Sequence, residues 1–298
     1  MTHFLFPSHP FDANLCEPDF LPEYEMVQEL GGTPLLVNEA LLRRGNFVGA
    51  CRRLPKAETL TPIMYRGWML KPSLYQGLFE ALEMKNYALI HDVEAYLTCH
   101  YFPKYYPLIE KYTPFSVVFP LNEGWQWEEL YENLRVFGEK AMIVKDYVKS
   151  EKHHWETACF MENAADKKKV KSTVENFLAL RGTELNEGLV FRTFEQFQPI
   201  GTHEKSGMPL THEYRLFFYE KKLIAASPYW EGSDVTGLEL PDTQIFEAVA
   251  QQLPARFFSL DIAQKTDKTW CIVEIGEGQM AGLPEQLDLH AFYSSIVQ

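Results

Sequence analysis

The chain has 298 residues, 46% of them hydrophobic and 23% charged, with a formal net charge of -13. This is the composition of a globular protein with one large domain or two to three small ones. The acidic balance excludes general affinity of the whole surface for nucleic acid or an anionic membrane, while leaving room for a local basic cleft.

No apolar run approaches the ~18 residues of a membrane span, and Met1 to Pro7 lacks a signal-peptide pattern. The five cysteines are scattered, with no CxxC pair. Cys51, Cys99 and Cys271 sit beside apolar residues and are expected to be buried thiols, as in a reducing, cytoplasmic setting.

Residues 1–120 alternate helix and strand signals. Leu35 to Val37 and Ile63 to Trp68 read as short strands. Leu74, Leu78, Ala81 and Leu82 recur at helical spacing. Tyr87 to Ile90 reads as a buried strand, Val93, Tyr96, Leu97 and His100 as the next helix, and Pro114 to Pro120 as a strand bounded by prolines. Strands separated by helices predict a parallel α/β layer.

Residues 121–140 predict a helix with Trp127, Leu130, Leu134 and Phe137 on one face. Beyond it the pattern changes. Ala141 to Lys145 reads as a strand and Asp166 to Leu180 as a helix with Val170, Val174, Phe177 and Leu178 inward. Leu189 to Phe194, Glu213 to Tyr219 and Leu223 to Ser227 follow as strands. Gly201 to Pro209 reads as a mobile loop. Ile245, Phe246, Val249 and Leu253 mark a further helix. Strands following strands predict an α+β unit with an antiparallel sheet, so the domain boundary is expected near residue 120.

The end of the chain carries the strongest signal. The apolar strand Phe257 to Ile262 contains Asp261, and Ile272 to Pro284 is a second strand that delivers Glu274 into a Gly-rich turn. The polar connection Gln264 to Lys268 makes the two a β-hairpin. By a period of two, Trp270, Ile272 and Glu274 share a face. Two carboxylates side by side repel unless a cation lies between them, and magnesium held this way also holds nucleotide phosphates. The alternative is a strand-end acid that is solvated or paired with Lys or Arg.

Weaker signals precede the hairpin. In an extended strand Lys145 and Lys149 lie on one face about 13 Å apart; they serve a polyphosphate, or they are solvated lysines at a fraying end. Arg192 interrupts an apolar strand beside Val190 and Phe194, and Glu213 shares a face with Arg215. These three form either a structural ion-pair network or the wall of a cleft in which Arg meets phosphate. Arg66 has two readings, a substrate-side arginine at the cleft or a helix cap. Lys167 to Lys169 and Lys171 read as a solvated helix face, His153 and His154 diverge, and His100 reads as a core residue.

The order of these segments resembles the ATP-grasp superfamily, in particular the clade named for a conserved arginine and two lysines. The residues that carry the resemblance are Val144 to Ser150, Phe191-Arg192, Glu213 to Phe217, Asp261 and Val273 to Pro284, with Tyr65 to Trp68 and Glu94 to Leu97 in the first half. The resemblance implies an ATP-grasp fold, two α+β subdomains gripping nucleotide, preceded by a Rossmann-like pre-ATP-grasp α/β domain. The first domain would span residues 1–120 and the ATP-grasp domain 121–298, with a lid subdomain over about 121–195 and a metal-binding subdomain over about 196–298.

The resemblance also implies ATP and magnesium as cofactors. Lys145 and Lys149 would hold phosphates, the segment 192–196 with Arg192, Phe194 and Glu195 would form the hinge beside adenine, its backbone groups reading the base edge, and Glu213 would line the same site. Arg215 would hold the γ-phosphate or an acyl-phosphate, acting with Lys149 in catalysis. Asp261 and Glu274 would hold metal. One departure is Gly276, where the superfamily often has Asn; either Glu277 substitutes or only one metal binds tightly.

The function implied is an ATP-dependent ligase that activates a carboxylate as an acyl-phosphate for an amine or other nucleophile, releasing ADP. Rival readings are a phosphotransferase acting on a small molecule or RNA end, and a non-catalytic nucleotide-binding module. No membrane partner is expected, and nucleic acid only as an RNA-end substrate.

Overall fold

The computed structural model describes residues 2–202, 209–230 and 239–297. The chain opens with β1 (His3–Pro7), α1 (Leu21–Glu29), β2 (Thr33–Val37), α2 (Glu39–Arg43), α3 (Phe47–Ala50), β3 (Thr61–Tyr65), α4 (Pro72–Glu83) and β4 (Tyr87–Leu89). The four strands form a parallel sheet in the order β2-β1-β3-β4. Alternate residues of β1 serve opposite cores: Leu5 packs with Leu78, Leu82 and Tyr96, whereas Phe4 and Phe6 pack with Val27 and Tyr293. A parallel sheet covered on both faces needs apolar residues at successive positions, and Phe-Leu-Phe provides them.

Two helices bridge to the rest of the molecule, α5 (Val93–His100) and α6 (Phe102–Ile109). Asp92 caps the first by accepting from the Ala95 N–H at 2.8 Å. Phe102, Tyr105 and Ile109 then enter the core of the C-terminal half.

The second sheet follows: β5 (Ser116–Pro120), α7 (Trp127–Leu134), β6 (Met142–Asp146), β7 (Phe160–Met161), α8 (Lys167–Arg181) and β8 (Gly188–Thr193), with the antiparallel order β5-β8-β6-β7. Leu130, Leu134, Val170, Val174 and Phe177 cover its outer face. The strand beginning at Ser116 pairs with β8, not with the parallel sheet. A boundary at residue 120 therefore falls after a strand that the second sheet already owns.

A short ribbon, β9 (Pro199–Thr202) with β10 (Pro209–Thr211), leads onward. Of the loop Gly201 to Pro209, residues 203–208 lie outside the described residues. The third sheet comprises β11 (Glu213–Tyr219), β12 (Lys222–Pro228), α9 (Gln244–Ala250) against it, β13 (Phe257–Gln264) and β14 (Trp270–Glu277), in the order β12-β11-β13-β14, and α10 (Leu289–Ser294) closes the chain. Leu216, Phe218, Phe258, Leu260 and Ile262 face the core shared with α6 and α9, while Phe217 and Phe257 reach the first sheet.

Arg66 corrects two expectations. The third strand ends at Tyr65, and Arg66 turns inward, 1% exposed. Its guanidinium forks onto Glu23 at 2.8 and 3.0 Å, and its Nη1 donates to the carbonyls of Gly278 and Ala281 at 2.7 and 3.1 Å. The tyrosine hydroxyl of Tyr293 donates to the same carboxylate. All of the geometry is consumed within the protein, so Arg66 is an internal strut between α1 and the segment after β14, neither a cleft residue nor a helix cap.

Removing one partner of a buried ion pair leaves the other uncompensated, at a cost of about 3–5 kcal/mol. Arg66→Leu is expected to lose stability on that scale in chemical denaturation. A loss under about 1 kcal/mol would show the strut to be incidental.

Candidate active site

Register brings three charged side chains into one row. Arg215 pairs with Asp261 across β11 and β13, and Asp261 pairs with Glu274 across β13 and β14. Directly paired residues project to the same face of a sheet. The Arg215 guanidinium grips Asp261 at 2.8 Å through both Nε and Nη2, and its Nη1 donates to the Gly282 carbonyl at 3.0 Å. Burial opposes the charge of Arg215, yet Asp261 more than offsets it and raises the guanidinium pKa. Its ion partner is thus Asp261 and not Glu213.

A β-bulge decides where Glu274 points. The register slips between Asp261 and Ile262, so that Ile272 faces Ile262 while Glu274 faces Asp261. One residue, Val273, is left over. The period of two expected Glu274 on the face of Trp270 and Ile272. Instead Trp270, Ile272 and Ile275 all pack in the shared core, and the extra residue carries Glu274 to the opposite face. The same parity turns Glu277 away from the carboxylate row, although it still borders the smaller cavity. It pairs with Phe258, on the core face, and its carboxylate is held by His91 Nδ1 at 2.5 Å and Gln279 Nε2 at 2.9 Å. His91 Nε2 accepts from the Arg256 and Phe257 N–H groups, each at 3.0 Å, so the ring proton is on Nδ1 and is donated to Glu277.

The second sheet supplies opposing cations. Lys145, on β6, is 5% exposed and reaches Glu274 Oε1 at 3.1 Å. Burial disfavours ionisation of Glu274, but Lys145 and Lys149 outweigh it and hold the carboxyl below its usual range. Lys149 does not continue the strand. Asp146, fully buried, accepts from the Val148 and Lys149 N–H groups at 2.7 and 2.5 Å, and from Arg181 Nε and Asn186 at 3.0 to 3.1 Å. The chain bends here instead of staying extended, and the bend brings Lys149 towards Glu274. Burial lowers the Lys149 pKa, with Lys145 and Arg215 adding to the effect and Glu274 opposing it.

Arg192 lies on the same face of the second sheet. It donates to the Val273 carbonyl and to Thr113 Oγ1, each at 2.8 Å, and stacks 5.1 Å over Phe102. Burial lowers its pKa. The segment after it, Thr193 to Phe197, crosses between the sheets. Gln196 accepts from Thr266 N–H at 3.2 Å, and Lys265 meets Glu195 at 3.4 Å. Phe194 packs edge-on against Phe160, which stacks on Trp155.

Two cavities meet at this row. The larger, about 540 Å³, lies among Lys145, Arg192, Phe194, Glu195, Glu213, Tyr229 and Trp230. The smaller, about 120 Å³, lies among Met69, His100, Lys149, Arg215, Ser259 and Met280. Asp261 and Glu274 line both. His100 is buried as expected, but it borders this smaller cavity; burial and then Lys149 push its imidazole down to about 4, so it is neutral.

Sequence reasoning missed Lys152, which stands 5.6 Å over the Tyr229 ring and 5.2 Å over Trp230. Its signal was the basic run from Lys145 to Lys152. It also missed Tyr229 and Trp230, which follow β12 as an aromatic pair.

Among the described residues no three His, Cys, Asp or Glu side chains converge as a metal cage. Two carboxylates opposite each other suit a magnesium ion whose remaining ligands are phosphates and water, and not an all-protein site. The donor set fits the expected metal on that basis.

The model of an ATP-grasp domain, family 3 of the clade named for one arginine and two lysines, matches residues 136–296. The chain belongs to this family. Among solved structures, this ATP-grasp chain is similar to the D-cycloserine synthetase DcsG, with 12% identity, a TM-score of 0.60, and 99% and 98% of the two chains covered. The ATP-grasp ligase PsnB, complexed with a phosphomimetic variant of its minimal precursor, Mg and ADP, matches with 12% identity and a TM-score of 0.56, over 100% and 98%. D-alanine–D-alanine ligase from Bacillus anthracis matches with 11% identity and a TM-score of 0.55, over 99% and 91%. At these identities the likeness is one of fold. No curated protein matches the chain. Among the described residues no helix is long and apolar enough to cross a membrane.

Glu213 gives the site a pH signature. Burial, reinforced by Asp261 and opposed by the Thr211 hydroxyl, pushes its carboxyl up to about 7 from 4.5. Between those values the folded state keeps a proton that the unfolded state has lost, so stability falls as pH rises through about 7. Glu213→Gln removes that loss. Its melting temperature relative to the parent protein is expected to rise from pH 5 to pH 8; parallel curves would contradict the assignment.

Proposed function

We propose that this protein is an ATP-dependent ligase of the ATP-grasp type, forming a carbon–nitrogen bond through an acyl-phosphate. The parallel first sheet with its helices is read as the Rossmann-like pre-ATP-grasp domain. The observation that carries the reading is the placement of Asp261 and Glu274 in the wall common to two cavities, one of nucleotide size and one small, with cations on both sides. The Mg and ADP bound in the PsnB complex support the choice of cofactors.

In this reading the base and ribose occupy the larger cavity, between the Thr193 to Phe197 crossing and the Tyr229–Trp230 pair. Lys145 and Lys149 neutralise phosphate oxygens. Arg192 is locked to backbone and serves as a wall rather than a mobile ligand. Asp261 and Glu274 would hold magnesium, which would supply positive charge to offset that of the phosphates. From the smaller cavity a substrate carboxylate attacks the γ-phosphorus, giving an acyl-phosphate and ADP. Arg215 and Lys149 stabilise the charge on that group until an amine displaces inorganic phosphate. Phosphoryl transfer asks the protein mainly for positioning and neutralisation, and no protein nucleophile is needed.

The test is incubation with Mg-ATP and panels of carboxylates and amines, following ADP, AMP and phosphate, with hydroxylamine to trap the acyl-phosphate. ADP, phosphate and hydroxamate are expected together. ADP without phosphate release indicates the phosphotransferase, AMP overturns both, and no turnover with tight nucleotide binding indicates a binding module. Asp261→Asn and Glu274→Gln are each expected to lower turnover at least ~100-fold, and the double variant to lose less than the product of the two, since they serve one ion. Lys145→Met is expected to weaken binding of a non-hydrolysable ATP analogue by about 1.5–3 kcal/mol in calorimetry. Unchanged affinity would remove Lys145 from the phosphate site.

A further inference from the structure

One rung along the hairpin from Asp261 and Glu274, Ser259 pairs with Gly276. By register both lie on the face that carries the carboxylate row. Ser259 is 1% exposed, and it borders the smaller cavity together with Asp261, Glu274 and Lys149. Among the described residues no hydrogen bond engages its hydroxyl. A hydroxyl with no protein partner is free to take one from the cavity it borders. A Cβ added at Gly276 would stand 2.4 Å from Ser259 Oγ. On ordinary covalent dimensions that is about the ~2.4 Å separating the Cβ of an asparagine from its own side-chain oxygen. Glycine at 276 thus clears a space that the serine oxygen fills from the neighbouring strand, at the distance a carboxamide oxygen on residue 276 would have.

We propose that the Ser259 hydroxyl is a third oxygen ligand of the divalent cation held by Asp261 and Glu274, and that Gly276 is glycine because this ligand arrives from across the hairpin. The inference rests on the metal assignment made above. A neutral hydroxyl suits the role. It adds an oxygen to a hard cation without adding charge to a row in which both carboxylates already have cationic partners. The strands fix it as rigidly as the carboxylates themselves.

The test measures metal and not turnover. Binding of Mn2+ to the full-length protein with a non-hydrolysable ATP analogue is followed by electron paramagnetic resonance. Ser259→Ala is expected to weaken Mn2+ binding about ten-fold while melting within a few degrees of the parent protein. Ser259→Cys exchanges a hard ligand for a soft one of similar shape, so it is expected to weaken Mn2+ and strengthen Cd2+ in competition. A purely structural serine does not produce that reversal. Gly276→Asn alone is expected to lower the melting temperature through its clash with Ser259, and Gly276→Asn with Ser259→Gly to recover both stability and Mn2+ affinity. Equal Mn2+ affinity in the parent, Ser259→Ala and Ser259→Cys proteins overturns the inference and leaves the ligase reading standing. If the parent protein binds no Mn2+ with the nucleotide analogue, both fall. If Ser259→Ala fails to fold, the Cd2+ against Mn2+ preference of Ser259→Cys decides alone.

Discussion

Four charges of alternating sign organise the centre of this protein: Arg215 with Asp261 and Glu274 with Lys145, of which Asp261 and Lys145 are buried and Arg215 and Glu274 partly exposed. The buried members are tolerable there because their neighbours have the opposite sign. A lone buried ion costs several kcal/mol, and pairing recovers that only with good geometry. The two-pronged grip of Arg215 on Asp261 provides such geometry. The arrangement also suits exchange. A phosphate can take over the lysine and arginine contacts while a divalent cation takes over the carboxylates, and the count of opposite charges is kept at each step. On the proposed reading, nucleotide and metal would be coupled through the same pairs, since either alone would leave one sign without its partner.

The row exists because of one extra residue. Without the bulge at Val273 the alternation along β14 would turn Glu274 into the apolar core beside Ile272. Bulges are a common means of re-aiming a side chain next to a functional site. The leftover residue is itself used, since its carbonyl accepts from Arg192 and joins β14 to the second sheet. The bulge thus aims the acid and fastens the two sheets together at one point.

Much of this was legible in the sequence because it is written locally. Strand and helix periods located β6, β8, β11, β13, β14, α4, α7 and α8, and the hairpin announced that Asp261 and Glu274 lie on neighbouring strands. The remainder depends on distant partners. Nothing around Val273 marks a bulge; it is an ordinary β-branched strand residue. Glu277 looked like a spare ligand because its partner, His91, is 186 positions away. Arg66 looked like a cleft residue because Glu23 lies 43 positions earlier, on a helix whose own pattern gives no hint of an internal acid. The strand Ser116–Pro120 follows four parallel strands and their helices, yet its pairing with β8 is set by the sheet that closes later in the chain. Local period identifies an element; which element it joins is a global choice.

The two sides of the carboxylate row are built differently, and this bears on specificity. The larger cavity is bounded by a crossing segment and by loops, in which backbone and aromatic rings offer generic contacts. The smaller is bounded by Met69 and His100 of the first half and by the turn after β14. That turn is fastened at several points. Arg66 donates to Gly278 and Ala281, Gln279 accepts from the Tyr65 N–H at 3.0 Å and donates to the Tyr75 hydroxyl at 3.1 Å, and Arg215 donates to Gly282. A wall fastened in this way holds its shape beside the cavity of about 120 Å³. On the proposed reading, discrimination between acceptors would fall on the residues around the smaller cavity. The family motif consequently reports the phosphoryl chemistry and carries no information about the group to which it is applied. On the same reading it would reside where the parallel first sheet packs against the end of the hairpin, a wall that Arg66 fastens although it lines neither cavity.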